Sequence, residues 1–284
     1  MKAASLMFDS FMEPGVPPLL FWIFVGLAIV IQGISKSGFA GGVGALSLPF
    51  MLLVMPVDKV VATLLPLLIL CDFNAIYHHW NNKRWEPILA IYIPSVVGIL
   101  LGAAVWWWLG REGVESYGAP IKRFVGVIAV LFSFYIVGKE SAAAWVEKIK
   151  PGKTTAFATG VTAGFLSTIT HAGGPIVSLY MFTQGMGKTL LVGTVAWTFT
   201  LINLTKLPFY AAVGLVQIDA LLFGLTLVWL IPIGSWLGHW IHHRVSESIF
   251  NRIVMVLVFF GGIQLILDVN LVLLLLEYAS GKPS

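Results

Sequence analysis

Long uncharged stretches restrict this chain to folds that lie in a lipid bilayer. They cover Pro14 to Ser35, Ser37 to Val57, Pro87 to Gly110 and Thr154 to Gly187. Each reaches the ~18 residues that indicate a membrane-crossing helix. Only 11% of the 284 residues are charged, against about a quarter in soluble domains. The runs are also too long for barrel strands of ~10 residues with alternating polarity. We therefore predict an all-α, polytopic membrane protein.

Two polar, glycine-rich segments interrupt this hydrophobicity at matching places in the two halves of the chain. They are ISKSGFAGGVGALSLP (34–49) and STITHAGGPIVSLY (167–180). Such residues are costly to expose to hydrocarbon, so a segment of this kind persists only where it lines a cavity or is buried in protein. Interrupted helices at corresponding positions of two halves are typical of the binding site of a secondary transporter.

A shift of 131 residues aligns the halves, placing Gly33 on Gly164 and Gly42 on Gly173. We predict two repeats of about five membrane segments each, which have inverted topology because five is odd. The predicted parts are an extramembrane segment (1–16), repeat 1 (17–138), a connecting loop (139–153), repeat 2 (154–275) and a tail (276–284). Segments 1 and 2, and likewise 6 and 7, either cross fully or form a helix with a re-entrant hairpin.

Individual boundaries follow from the same pattern. Segment 1 is predicted to end near Gly33, with a break over Ser35 to Gly42, and segment 9 is predicted as one helix over 218–239. Gly-xxx-Gly pairs at Gly98/Gly102 and Gly234/Gly238 could pack within one chain or between the chains of a homodimer. Tryptophans at segment ends are expected to be interfacial anchors; these are Trp80, Trp85, Trp106 to Trp108, Trp236 and Trp240.

Charge and cysteine content narrow the function further. The formal net charge is +4, but the basic residues occur singly between hydrophobic segments, so they indicate topology and not a nucleic-acid partner. Their excess places both termini outside the cell. The one cysteine, Cys71, excludes an intrachain disulfide and a cysteine metal cluster. We expect no cofactor.

The two glycine-rich regions also resemble a known family. GGVGALSLP in the first half and HAGGPIVSLYMFTQGMGKTLLVGTVAWTFTLINLTKLPFY in the second are similar to the TauE/SafE family of sulfite exporters, and the likeness covers nearly the whole chain. It implies a multi-pass permease of the bacterial inner membrane for a small sulfur oxyanion or organosulfur anion, such as sulfite, sulfoacetate or a related sulfonate. The glycine-rich motif positions carried over from the family are Gly41, Gly42, Gly44, Gly173, Gly174 and Pro175.

An anion in a dry interior needs hydrogen-bond donors and positive potential. If segments 2 and 7 begin at the breaks, their free N–H groups and dipoles, roughly half a unit charge each, point at the cavity. Further donors near the breaks are Ser35, Ser37, Thr168, Thr170 and His171. The alternative is that the glycines only let helices approach closely.

Charged and amide side chains supply the rest of the predicted site. Asn203 and Lys206 lie on a polar stripe of segment 8 that should face the bundle interior. Lys36 either faces the substrate or extends to the membrane surface. Asp72, at the repeat position of Asn203, either binds a coupling proton or pairs with a lysine. We assign the coupling of transport to a proton or sodium ion to Asp72, Asn74 and His79.

We therefore predict a secondary transporter working by alternating access, and not an enzyme. A passive anion channel is the main alternative, because the same breaks could form a selectivity filter. A membrane metalloenzyme would use the H-x-x-H-H spacing of His239, His242 and His243. Known sites of that kind need several such clusters, and only three other histidines are present.

Overall fold

The structure is a computed structural model that describes residues 10–38, 44, 47–146, 152–244 and 247–268. Every regular element in these ranges is a helix, which confirms the all-α prediction. The helices are α1 (Pro18–Gly38), α2 (Ser47–Leu52), α3 (Val57–His79), α4 (Trp85–Glu112), α5 (Val114–Val146), α6 (Lys153–Thr170), α7 (Gly174–Phe182), α8 (Lys188–Ala212), α9 (Ile218–Leu227), α10 (Leu230–Arg244) and α11 (Glu247–Leu267).

Four helices of the described residues are long and apolar enough to cross a membrane: α1, α3, α4 and α8. A fifth crossing is formed if α9 and α10, which meet at 46°, are one broken span. The segment predicted as a single helix over 218–239 is therefore bent. Helices α2 and α7 have six and nine residues. At ~1.5 Å per residue neither can cross the ~30 Å hydrocarbon core as a helix.

The first break is shorter than predicted, because α1 continues to Gly38. Ser35, Lys36 and Ser37 therefore lie on a helix and not in a loop. The Ser37 hydroxyl donates to the Gly33 carbonyl one turn earlier at 2.8 Å, a bond that lets serine continue a helix.

The second break is also short: it consists of His171, Ala172 and Gly173, between the end of α6 and the start of α7. The hydroxyls of Thr168 and Thr170 donate to carbonyls four residues back, at 2.8 and 2.9 Å. His171 itself has φ 52°, in the left-handed region, where it ends α6. The left-handed conformation that ends α6 is thus provided by a histidine and not by a glycine.

Glycines bring helices of the two halves into close contact. A Cβ on Gly98 of α4 would collide with the carbonyl oxygen of Val161 in α6, and a Cβ on Gly234 of α10 would lie 2.5 Å from that of Val30 in α1. Each Gly-xxx-Gly helix therefore packs against the first helix of the other half, within one chain. This resolves the packing question that the sequence left open for these helices.

Equivalent positions of the two halves also touch each other. Asp72 of α3 is hydrogen-bonded to Asn203 of α8, 131 residues later. Gly126 of α5 packs on Gly262 of α11, five residues away from the position that this register makes equivalent to it. Contacts between equivalent positions arise where two repeats meet at a two-fold axis. The arrangement is consistent with inverted repeats, and the inversion itself stays a prediction. Helices α3 and α8 are the most enclosed candidate spans, at 72% and 67% buried.

Candidate functional site

A buried ion pair lies where α1, α3 and α8 meet. Lys36 is only 7% exposed and its Nζ contacts Oδ1 of Asp72, which is fully buried. The other carboxylate oxygen accepts a 2.7 Å hydrogen bond from Nδ2 of Asn203. The ring of Phe199 covers the ammonium group at 4.5 Å. Lys36 therefore does not extend to the membrane surface, and of the two roles open to Asp72 the structure displays pairing with a lysine.

Lys206 lies one helical turn beyond Asn203 and is fully buried. Its Nζ donates to the carbonyl and to the hydroxyl of Ser167, both at 3.0 Å, and contacts Nδ1 of His171 at 3.1 Å. An ammonium group has three donors, and all three are used. Every acceptor is neutral, and in the described part of the chain no carboxylate lies within ion-pair distance of Lys206.

Geometry fixes the protonation of His171. Its Nε2 lies 3.2 Å from the carbonyl oxygen of Val61, which can only accept, so Nε2 must carry the hydrogen. Its Nδ1 faces the ammonium of Lys206 and must therefore present a lone pair. His171 is thus neutral, and it holds α3, α8 and the second break together.

On the side of the cluster that faces α4, the backbone carbonyl of Thr168 accepts two hydrogen bonds. It accepts hydrogen bonds from the Trp106 indole at 3.0 Å and from the Tyr210 hydroxyl at 2.6 Å. Trp106 is only 2% exposed, so its predicted role as an interfacial anchor is wrong. Its neighbours Trp107 and Trp108 are 52% and 59% exposed, as expected of residues at a membrane interface.

The structure describes only part of the first glycine-rich segment. Gly44 donates its N–H to the Ser35 hydroxyl at 2.7 Å and accepts from Gln32 at 2.8 Å. Gly41 and Gly42 lie outside the described residues. Helix α2 begins at Ser47, beyond the glycines, and has only six residues. Among the described residues, this half therefore does not display the glycine-led helix start that was predicted.

In the second half, α7 does begin at the predicted glycines, with Pro175 in its first turn. A Cβ on Gly173 would lie 2.7 Å from the Ala163 carbonyl oxygen and 3.0 Å from Cβ of Ser167. Gly173 thus packs closely against α6, next to the serine that binds Lys206. Here glycine both permits close packing and brings a helix start to the charged cluster.

The remaining predicted residues face a separate cavity. Ser37, Asn74 and His79 line a space of about 510 Å³ between α1, α3 and α10. The Asn74 amide donates to the Ser235 hydroxyl at 2.6 Å. His239 also lines this cavity, whereas the side chains of His242 and His243 lie outside the described ones. No group of three or more residues suited to a metal is present among those described.

Four cluster residues were absent from the predicted site: Ser167, Tyr210, Trp106 and Phe199. Tyr210 lies on the same helical stripe as Lys206, so its spacing was a usable signal. Ser167 stands at the repeat position of Lys36, and alignment of the halves could have identified it. Nothing in the local sequence marks Trp106 or Phe199, because their roles arise from contacts between helices distant in sequence.

The fold and the buried cluster together define a multi-pass membrane protein whose charged and amide groups face the bundle interior, as they do in transporters. The TauE/SafE sulfite exporter family model matches residues 24–265. The chain belongs to this family, and it is accordingly a membrane anion transporter. No curated protein and no solved structure matches it.

Proposed function

We propose that this protein is a secondary transporter that moves a small sulfur-containing anion, such as sulfite, sulfoacetate or a related sulfonate, across the bacterial inner membrane. Lys206 carries the proposal. When it is protonated, Lys206 places a fully buried ammonium among neutral acceptors alone, and most of its desolvation cost, on the order of several kcal/mol for an ion, is then uncompensated. A bound anion would offset this cost.

The start of α7 supports the same site. It packs on Ser167, which also binds Lys206, and the first turn of a helix carries roughly half a positive charge. Two sources of positive potential therefore lie beside one serine. We assign the anion to the space that opens when Lys206 leaves Ser167, where the N–H groups around Gly173 and Gly174 would bind its oxygens.

Coupling is assigned to Asp72. Both of its carboxylate oxygens are used, one by Lys36 and the other by Asn203. A proton or sodium ion arriving at Asp72 would weaken its attraction for Lys36 and release a second cation into the interior. Substrate and coupling sites would then communicate through Asn203, which shares one face of α8 with Lys206.

Alternating access is favoured over a passive channel because Lys206, Ser167 and His171 are enclosed by protein. A channel would need a continuous aqueous path past them. For a carrier we expect saturable uptake that is accelerated by unlabelled anion on the opposite side. Large ohmic single-channel currents would contradict it.

The decisive experiment measures uptake of radiolabelled sulfite by proteoliposomes. We expect Lys206→Ala to reduce uptake about 100-fold, equivalent to about 2.7 kcal/mol of lost stabilisation. Gly174→Leu should also abolish uptake, because a bulky side chain would occupy the start of α7. Both variants must insert and remain monodisperse.

Lys59→Ala is the matched control. Lys59 is partly buried, whereas Lys206 is fully buried, and Lys59 binds Asp219 at 2.8 Å and Gln217 at 2.6 Å, at the opposite end of α3 from His79. Uptake should stay within about twofold of the unmodified protein, as for a substitution outside the site. Unchanged uptake in both Lys206→Ala and Gly174→Leu would refute the proposed site.

A further inference from the structure

The 510 Å³ cavity between α1, α3 and α10 has the composition of a binding site. Its volume is within the ~300–1,000 Å³ typical of small-molecule sites. The lining residues are Ser37, Asn74, Ala75, His78, His79, Pro232, Ser235, Trp236 and His239. They provide three imidazoles and two hydroxyls, and no carboxylate is among them. The cavity therefore offers hydrogen-bond donors without negative charge.

One of these imidazoles has an unsatisfied atom. Nδ1 of His79 is buried and has no hydrogen-bond partner among the residues described. Leaving such an atom unpaired costs about 1–3 kcal/mol. Because Nδ1 is itself enclosed, the ring would have to turn toward the cavity before a hydrogen on Nδ1 could be donated to a ligand there. By contrast, Ser37 and Asn74 already bond to Ser235, which holds the three walls together.

The imidazoles of the cavity come from two of its walls. Among the described residues no three His, Cys, Asp or Glu side chains come close enough to share a metal ion. His78 and His79 lie on α3 and His239 on α10, so donors come from two walls. This spread matches an anion with several oxygens.

The cavity extends from the surface toward the buried ion pair. His78, Trp236 and His239 are exposed, and α3 ends at His79 immediately before the 80–84 loop. At the inner end, Ala75 follows Asp72 by one helical turn and Ser37 directly follows Lys36. An ion in the cavity would therefore lie one turn from the Lys36–Asp72 pair.

We propose that this cavity is a second anion-binding site, in which His78, His79 and His239 capture a small sulfonate or sulfur oxyanion before it reaches the buried cluster. The identification of this anion as the transported one depends on the proposed function. The binding itself follows from the cavity's shape and donors.

The test compares thiol reagents of opposite charge at Ser37→Cys, in a Cys71→Ala background that removes the native thiol. The anionic reagent is sulfonatoethyl methanethiosulfonate, which itself carries a sulfonate, and the cationic one is trimethylammonioethyl methanethiosulfonate. Each rate is divided by that of a free thiol in the same buffer. We expect the normalised anionic rate to exceed the cationic one about 10-fold, roughly the effect of one net hydrogen bond from the lining to a charged group.

Replacing all three histidines with phenylalanine, which keeps a ring but has no donor, should bring this ratio to about 1, and sulfoacetate should slow the anionic reagent when the histidines are present. If the triple variant does not fold, His79→Phe alone should lower the ratio about threefold, because it removes one of three donors. A ratio at or below 1, no effect of the histidines, or no modification of Ser37→Cys would each overturn the proposal.

The same measurement in Lys206→Ala separates the two proposals. The reagent preference should persist there, because the cavity does not include Lys206. Persistence of the preference, together with normal sulfite uptake in Lys206→Ala, would refute the Lys206 site and leave the cavity site intact. If the reagent preference is lost in Lys206→Ala and sulfite uptake falls as expected, the cavity site is refuted and the Lys206 site stands.

Discussion

The two halves of the protein use equivalent helices around different interiors. Helices α1 and α3 of the first half and α10 of the second surround the 510 Å³ cavity, whereas α6 and α8 of the second half and α4 of the first enclose the Lys206 cluster. Positions 131 residues apart differ in a consistent way. Ser37 and Ala75 line the cavity, while their equivalents Thr168 and Lys206 are fully buried.

This difference resides mainly in side chains. Lysine replaces alanine at the 75/206 position, tyrosine replaces histidine at 79/210, and Trp106 from α4 completes the second cluster. The helices that carry them meet through glycine contacts in both halves. One helical framework thus supports an open and a closed compartment, which is what a carrier requires if its two sides open in turn.

The largest expected effect is a difference in stability between variants of Asp72 and of Asn203, which occupy equivalent positions in the two halves. Asp72→Ala would leave Lys36 buried without a counter-ion and should cost about 3–5 kcal/mol. Asn203→Ala removes one hydrogen bond and should cost about 1–2 kcal/mol. Both losses of stability are measured by heating the detergent-solubilised variants and recording the fraction of protein that remains monodisperse at each temperature.

The double variant Lys36→Met with Asp72→Leu provides the control for this pair. Because it removes both charges together, we expect it to recover most of the stability lost in Asp72→Ala. Equal losses for Asp72→Ala and Asn203→Ala, or no recovery in the double variant, would show that the ion pair does not distinguish the halves.

The second prediction compares Ser37→Cys with Thr168→Cys, both in the Cys71→Ala background. Thr168 is fully buried, and exposing it through a local opening of about 2.7 kcal/mol would slow its modification about 100-fold relative to Ser37. Reaction rates with one membrane-impermeant thiol reagent measure the difference. Similar rates would remove the distinction between an open and a closed half.

The smallest expected effect concerns the hydrogen bond by which Trp106 helps to enclose Thr168. Trp106→Phe removes the indole donor to the Thr168 carbonyl, worth about 1 kcal/mol. We expect modification of Thr168→Cys to accelerate about fivefold, which is that energy expressed as a rate. Trp107→Phe is the matched control, because Trp107 is 52% exposed and should leave the rate unchanged. Acceleration in both variants would indicate general loosening of α4.

Much of the cluster was predictable because burying a charge is costly in any membrane fold. Lys206 and Asn203 share one helical face, and a polar stripe can only be accommodated in the bundle interior. Asp72 followed from alignment of the halves. The extent of α1 was mispredicted, because the Ser37 hydroxyl bonds to the Gly33 carbonyl of the preceding turn and lets the helix continue through residues that usually favour a break.

By itself, the sequence determined that the chain is helical, that it lies in a membrane and that polar residues of its halves converge. Hydrophobic length and the cost of exposed charge are sufficient for these conclusions. Only the tertiary structure decided which polar groups meet. Lys36 pairs with Asp72 across 36 residues and Asn203 reaches Asp72 across 131, and such contacts depend on where helices cross. The same crossings left a cavity beside Ala75 and enclosed Lys206, a difference that no local pattern in the chain encodes.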